Sequence, residues 1–338
     1  GVEFRTADRP YAVAPGSVTK DDGRPYAVFT PFSRAWRAVG WDAPIGAPKG
    51  VRWRRLPSDP LPSAPTCEAE LPAAGEEAAH RTADSFLEDR LDRYDDDRNR
   101  PDVPGTSFLS PYLRWGAIHP RQLLDRLGSS KAHDVFRSEL AWREFYADVL
   151  WHRPDSARAD YTHALDGMEV DRGPRADERF AAWAEGRTGF PFIDAGMRQL
   201  LAEGWMHNRV RMAVASFLVK DLHLDWQRGA AWFMRHLADG DLASNQHGWQ
   251  WTAGTGTDAA PYFRIFNPTN QGRTFDPHGD YVRRYVPELA GIAGDIHQPS
   301  VGATLFDGTA GYPAPIVDHA AERDEALARL ERVKRARR

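Results

Sequence analysis

Apolar residues return at spacings of three and four along most of this chain. Ala79, Ala83, Phe86, Leu87, Leu91 and Tyr94 mark one such stripe, the signature of an amphipathic helix. Ser138 to Trp151, Ile193 to Leu222 and Gly229 to Leu237 repeat that texture, separated by Gly, Pro and Asp turns. Hardly any segment alternates with a period of two. The pattern predicts a mainly α domain over 75–338 that closes with a charged helix, Asp318 to Arg338, whose basic last turn suits the helix dipole and is expected to fray. No repeat occurs at the periods of known solenoids.

The first 52 residues read differently. They are punctuated by Gly and Pro, and Tyr26 to Thr30 (YAVFT) is β-prone and followed by Pro31. They do not amount to a complete domain, and an opening at Gly1 without a Met is expected of an edge cut from a longer chain. Residues 53–74 include LPSDPLPSAPTCEAELPAA, the composition of a linker running over a surface. The expected organisation is therefore a remnant over 1–52, a linker over 53–74 and a helical unit over 75–338.

Composition narrows the classes. The 338 residues are 41% hydrophobic and 27% charged, and no apolar run approaches the ~20 residues that cross a bilayer, so no membrane association is expected. A single cysteine, Cys67, excludes an internal disulfide framework and a zinc site built on several thiolates, and a cytoplasmic home fits it. The net charge of −4 lacks the basic footprint of a general nucleic-acid binder, so any DNA site has to be a local patch. Twelve tryptophans stand out, although a large core uses tryptophan as well.

Four clusters carry candidate chemistry. Asn208, Arg211 and Met212 fall at i, i+3 and i+4 in WMHNRVRMAVASFLVKDL, so one helix face would present an amide, a guanidinium and a thioether, which suits a planar ligand with polar edges. An amphipathic helix with a solvated edge accounts for the same spacing. In HLADGDLASNQHGWQW, Asp239 and Asp241 flank Gly240, with Asn245, Trp249 and Trp251 beyond. A hard metal needs more oxygen ligands than this, so no metal is expected, and an aspartate paired with Arg211 is the better arrangement. Glu139, Trp142, Arg143 and Tyr146 share helical spacing in SELAWREFY and could stack a base and bond its edge, as could many exposed helix faces. Tyr94 precedes GTSFLS, residues 105–110, where hydroxyls near a helix start could cradle a phosphate or simply cap the helix. There is no Walker loop, GxGxxG, HExxH or GxSxG. His207, His223, His236 and His247 are scattered.

Taken in order, these segments resemble the DNA photolyase and cryptochrome family, most closely class I cyclobutane dimer photolyases. The similarity runs from about Tyr94 to Glu288 and is sharpest in GWMHNRVRMAVASFLVKDLHLDW and DGDLASNQHGWQWTAGTGTDAAPYFRIFNP. YAVFTPFSRAW, residues 26–36, also looks like the tail of the family's N-terminal α/β antenna domain. The resemblance implies an all-helical flavin domain preceded by a remnant of that antenna domain. It implies FAD, active as the reduced anionic hydroquinone, held by Tyr94, Thr106, Ser107, Phe108, Leu109, Ser110, Asn208, Arg211, Asp239, Gly240, Asp241 and Asn245. A second antenna chromophore is not expected on this chain.

By the same resemblance Asn245 faces the flavin N5, where plant cryptochromes carry an acid and insect ones a cysteine. Glu139, Trp142, Asn208, Arg209, Met212 and Trp251 would contact the lesion, with Arg98, Arg143 and Gln271 as further DNA contacts. The family's 6-4 repair enzymes use a histidine in the region of Asn208, and the amide at that position points to cyclobutane dimers. Trp249 and Trp226 match two members of a three-tryptophan photoreduction chain. The third has no counterpart, since no tryptophan lies between Trp151 and Trp183, and Trp232 or Trp205 is the alternative end of the route. Phe136 stands where the family has an adenine-side tryptophan. The expected partner is DNA containing pyrimidine dimers, bound by a monomer. A light sensor of cryptochrome type without repair is the rival reading, and a flavin-free helical scaffold for nucleic acid is a more distant one.

Overall fold

The structure, a computed structural model, describes residues 9–46, 48–52, 54, 57–258, 263–292, 294–298 and 311–337. Parts of the expected N-terminal remnant, of the linker and of the GTGTDAAPYF stretch lie outside the described residues. Among those described there is no strand; an isolated bridge joins Thr19 to Pro25. The described residues form fourteen α-helices: α1 (Phe29–Val39), α2 (Glu76–Asp89), α3 (Tyr94–Asp97), α4 (Ser110–Trp115), α5 (Pro120–Leu124), α6 (Lys131–His152), α7 (Pro174–Ala184), α8 (Pro191–Glu203), α9 (Asn208–Lys220), α10 (Trp226–His236), α11 (Leu242–Ala253), α12 (Pro268–Phe275), α13 (Asp280–Tyr285) and α14 (His319–Ala336).

Local chemistry sets their limits. Ser130, Asp225, Asp241, Asn267 and Asp318 cap α6, α10, α11, α12 and α14 by accepting a backbone N–H of the first turn. The apolar run from Ile193 to Leu222 is divided in two by Gly204, which closes α8 in the left-handed region at φ 59°. Residues 57–74 form no helix and are mostly exposed.

Two cores result. One gathers Ala12, Val13, Phe32 and Trp36 with apolar residues of α2 through α6; the other joins α7 through α13 to Tyr312 and Val317. Helices α6 and α11 meet where the cores adjoin, with Tyr146 stacked on His247 at 5.6 Å.

The β-prone reading of Tyr26 to Thr30 is corrected. Helix α1 starts at Phe29 and lays Phe32 and Trp36, both fully buried, against α6. Tertiary packing overrides the local preference here. What holds this segment is Glu144 on α6, which accepts from the Ala12 N–H, from the Val13 N–H at 3.0 Å and from Trp36 Nε1 at 2.6 Å. Burial pushes the Glu144 carboxyl up, and these hydrogen bonds oppose it.

Candidate functional site

The second core supplies one wall. Helix α9 begins at Asn208, so Asn208, Arg211 and Met212 do share a face. Arg211 Nη2 reaches Asp239 Oδ2 at 2.8 Å and Arg211 Nε donates to the Met206 carbonyl at 2.7 Å. The Asp239 side chain is 3% exposed, so its charge needs that partner. Its other oxygen, Oδ1, is buried without a hydrogen bond. Asp241 caps α11, accepting from Ser244 N at 2.8 Å, which fixes the start of the helix that carries Asn245. Asn245 Nδ2 donates to the Ala230 carbonyl at 3.1 Å, holding the amide beside α10.

The first core supplies the facing wall. Gly105 lies so close to α3 that a Cβ there would sit 2.6 Å from the Asp97 carbonyl oxygen. The chain then runs through Thr106, whose Oγ1 is buried and unpartnered, and Phe108, whose φ of 54° is unusual outside glycine. Leu109 N donates to Ser107 Oγ at 3.3 Å, and no side chain caps α4 at Ser110. The hydroxyls therefore do not serve as helix caps. Tyr94 is buried at 8% exposure against Phe86 and Phe136, with ring centroids at 5.5 and 5.3 Å. Hydrogen bonds tie the walls together, among them Arg114 Nε to the Gly240 carbonyl at 2.6 Å, Trp115 Nε1 to the Ala238 carbonyl at 2.7 Å and Trp205 Nε1 to Ser110 Oγ at 3.3 Å.

Glu139, on the partly exposed face of α6, pairs with Arg98 at 2.7 Å. Burial raises its pKa, against the lowering effect of Arg98. Arg209 donates to Asn99 Oδ1 at 2.8 Å, lies over the Phe275 ring at 4.5 Å and touches Met212 Sδ at 3.8 Å. Gln271 Oε1 is buried without a partner. Trp251 is partly buried on α11.

Two expected DNA contacts are placed otherwise. Arg143 gives Nη1 to the Pro10 carbonyl at 2.7 Å and Nη2 to the Leu113 carbonyl at 3.1 Å, with its guanidinium over Tyr11. It staples the N-terminal segment to α4, so its place among the DNA contacts is withdrawn. Trp142 has one face stacked on Phe29, 3.7 Å between centroids and 7° between planes, which leaves it less of a platform than helical spacing implied.

Residues 136–332 match the family model described as the FAD binding domain of DNA photolyase. A deoxyribodipyrimidine photo-lyase of Vibrio cholerae is 40% identical over 354 residues, covering 97% of this chain and 72% of that protein. The chain belongs to the DNA photolyase family. A class III photolyase from Agrobacterium tumefaciens superposes with a TM-score of 0.79 at 38% identity, over 96% of this chain and 72% of that one. A cryptochrome from Synechocystis sp. PCC6803 gives 0.77 at 28% identity, over 94% and 70%.

For a photolyase, the residues present fit FAD. Thr106 Oγ1 and Asp239 Oδ1 are buried polar atoms that the protein leaves unbonded on facing walls, and such atoms call for a partner. The two tryptophans expected of the photoreduction chain are both buried. Trp249 is 3% exposed and lies 5.0 Å from Phe233 and 6.1 Å from Trp183 between ring centroids. Its ring presses on Gly229, where a Cβ would stand 2.1 Å from Cη2. Trp226 is 6% exposed and donates Nε1 to Asp160 Oδ1 at 2.8 Å.

Sequence reasoning missed part of this photolyase site. Trp205 packs on Phe108 at 4.8 Å as well as on Ser110, so it belongs to the wall itself. His207 caps α9 through Nδ1, and its Nε2 is buried and unpartnered. Burial, reinforced by Arg211 and Arg209, holds its pKa down at about 3. Direct adjacency to Asn208 was the available signal.

Proposed function

We propose that this chain repairs cyclobutane pyrimidine dimers in DNA, driven by light, with FAD held between the two cores. The observation that carries this reading is the pair of buried oxygens without hydrogen bonds, Thr106 Oγ1 on one wall and Asp239 Oδ1 on the other. Tyr94, residues 106–110, Asn208, Arg211, Asp239, Gly240, Asp241 and Asn245 hold the cofactor. Bound FAD, in its reduced anionic form, supplies on excitation the electron that splits the cyclobutane ring and receives it back, with no net redox change.

The chain's own residues position and stabilise. The Arg211 guanidinium lies beside the flavin, and the uncharged Asn245 amide suits an anionic ring better than a carboxylate would. The dimer is turned out of the duplex into the hollow beside α6; photolyases are themselves a standard example of base-flipping enzymes, so this step comes with the family. There Glu139, whose pKa burial raises against the lowering effect of Arg98, hydrogen-bonds a thymine edge and stabilises the negative charge that builds on it. Trp251 and the free edge of Trp142 pack on the bases, Asn208 and Met212 line the floor, and Arg98, Arg209 and Gln271 hold the strand. Residues 75–338 act as the catalytic unit of a monomer.

The Synechocystis cryptochrome shares the fold, and a light sensor without repair is the second reading; Asn245 favours repair. Irradiating the reduced protein with a dimer-containing oligonucleotide tests the choice. Restored thymines are expected, and bound flavin with intact dimers would establish the sensor instead.

A further inference from the structure

A cavity of about 330 Å³ is lined by Trp226 and by none of the residues assigned to the flavin walls. Its size suits a fragment-sized ligand. Residues 165–170 form one side and contribute no aromatic ring, while Trp226 and Phe263 form another. Four carboxylates line it, from Asp160, Asp166, Glu169 and Asp225, against the guanidinium groups of Arg172 and Arg329. Arg329 is already met by Asp171 and Glu325 and Glu169 by Arg332, which leaves Asp160, Asp166 and Asp225 against Arg172, so the wall favours a cation. Thr255 also lines it, 5% exposed, and its Oγ1 has no hydrogen-bond partner.

Trp226 stands between this cavity and the interior. Its helix, α10, packs on α11, and Gly229, three residues along α10, touches the Trp249 ring. An indole is readily oxidised, and the Trp226 N–H already points at a carboxylate.

We propose that this cavity binds a small, electron-rich aromatic amine that delivers electrons to Trp226, and so makes Trp226 rather than Trp232 or Trp205 the entry point of the route to the flavin. The inference rests on the FAD reading above. When photoexcited oxidised flavin takes an electron from Trp249, Trp226 refills Trp249 and passes its Nε1 proton to Asp160. The bound amine then gives one electron to Trp226 and leaves as its radical cation, while Asp160 returns the proton. Each turn moves one electron inward and oxidises one donor molecule by one electron.

The test uses flavin-loaded protein and 5-hydroxytryptamine as the probe. Calorimetry in the dark should give one saturable site per chain, and Val170→Phe, which fills the cavity wall, should weaken it about tenfold, ~1.4 kcal/mol. Under blue light without thiol, flavin photoreduction should rise saturably with probe in the parent. It should not rise in Val170→Phe, nor in Trp226→Phe, which keeps the cavity but removes the indole. Absent binding, or equal binding by Val170→Phe, overturns the site. Binding without acceleration, or acceleration that survives Trp226→Phe, overturns the donor role. Protein purified without flavin contradicts the FAD reading before any probe is added, and successful repair by chemically reduced enzyme keeps that reading whatever the probe does.

Discussion

Each wall of the site carries an arginine paired with a carboxylate, and the two pairs differ in how far they can move. Arg211 and Asp239 meet at 2.8 Å with the aspartate 3% exposed; Arg98 and Glu139 meet at 2.7 Å with 26% and 29% of their side chains exposed. Arg211 is further fixed by the Met206 carbonyl, whereas Arg98 reaches Glu139 from the short helix α3 and its C-terminal edge. On the proposed function the first pair is a fixed part of the cofactor wall, and the second sits at the mouth and has to open for Glu139 to meet a base. Similar distances thus serve opposite purposes, and burial decides which.

The sharpest way to break this contrast is to remove the buried partner. Arg211→Ala strands the Asp239 charge and should cost ~3 kcal/mol of stability by denaturant unfolding. A loss below ~1 kcal/mol, the range of exposed pairs, would place both pairs in one class. At the mouth, Glu139→Ala should slow dimer splitting on the order of 100-fold while DNA affinity changes little, because the contact acts on charge that develops in the reaction. Equal losses in rate and affinity would make it a binding residue.

Trp251→Ala should show the reverse, weakening dimer DNA by ~1–3 kcal/mol through lost base stacking. Binding unchanged from the parent would remove Trp251 from the mouth. A pH series tests the rigid wall. His207 has a folded pKa near 3, so the unfolded chain takes up its proton first as pH falls below ~6.5. Stability is full above that pH and should drop by ~1.4 kcal/mol per unit as pH falls toward 3. His207→Gln should flatten that slope in a pH series of unfolding curves; an unchanged slope would assign it to other groups.

Much of this was legible in the sequence because helices and their apolar faces are local. The stripe from Ala79 to Phe86 and the shared face of Asn208, Arg211 and Met212 follow from spacing, whereas Leu91 and Tyr94, read as part of that stripe, lie beyond the end of α2 at Asp89. Arg143 was not legible. Spacing puts it on the face of Glu139, yet its acceptors are main-chain oxygens 133 and 30 residues away, and carbonyl groups leave no trace in side-chain identity. Glu144 is hidden for the same reason, since two of its three donors are backbone amides of Ala12 and Val13. Tyr26 to Thr30 failed differently: its local preference was read well, but burial of Phe32 and Trp36 against α6 outweighed it.

That the two cores close on a single flavin is tested most directly by titrating flavin-free protein with FAD and following quenching of the flavin's fluorescence. One site per chain is predicted, weakened both by Thr106→Val on one wall and by Asp239→Ala on the other. Parental affinity in either variant would mean that its wall does not touch the cofactor, and the account of a site shared between the cores would be contradicted.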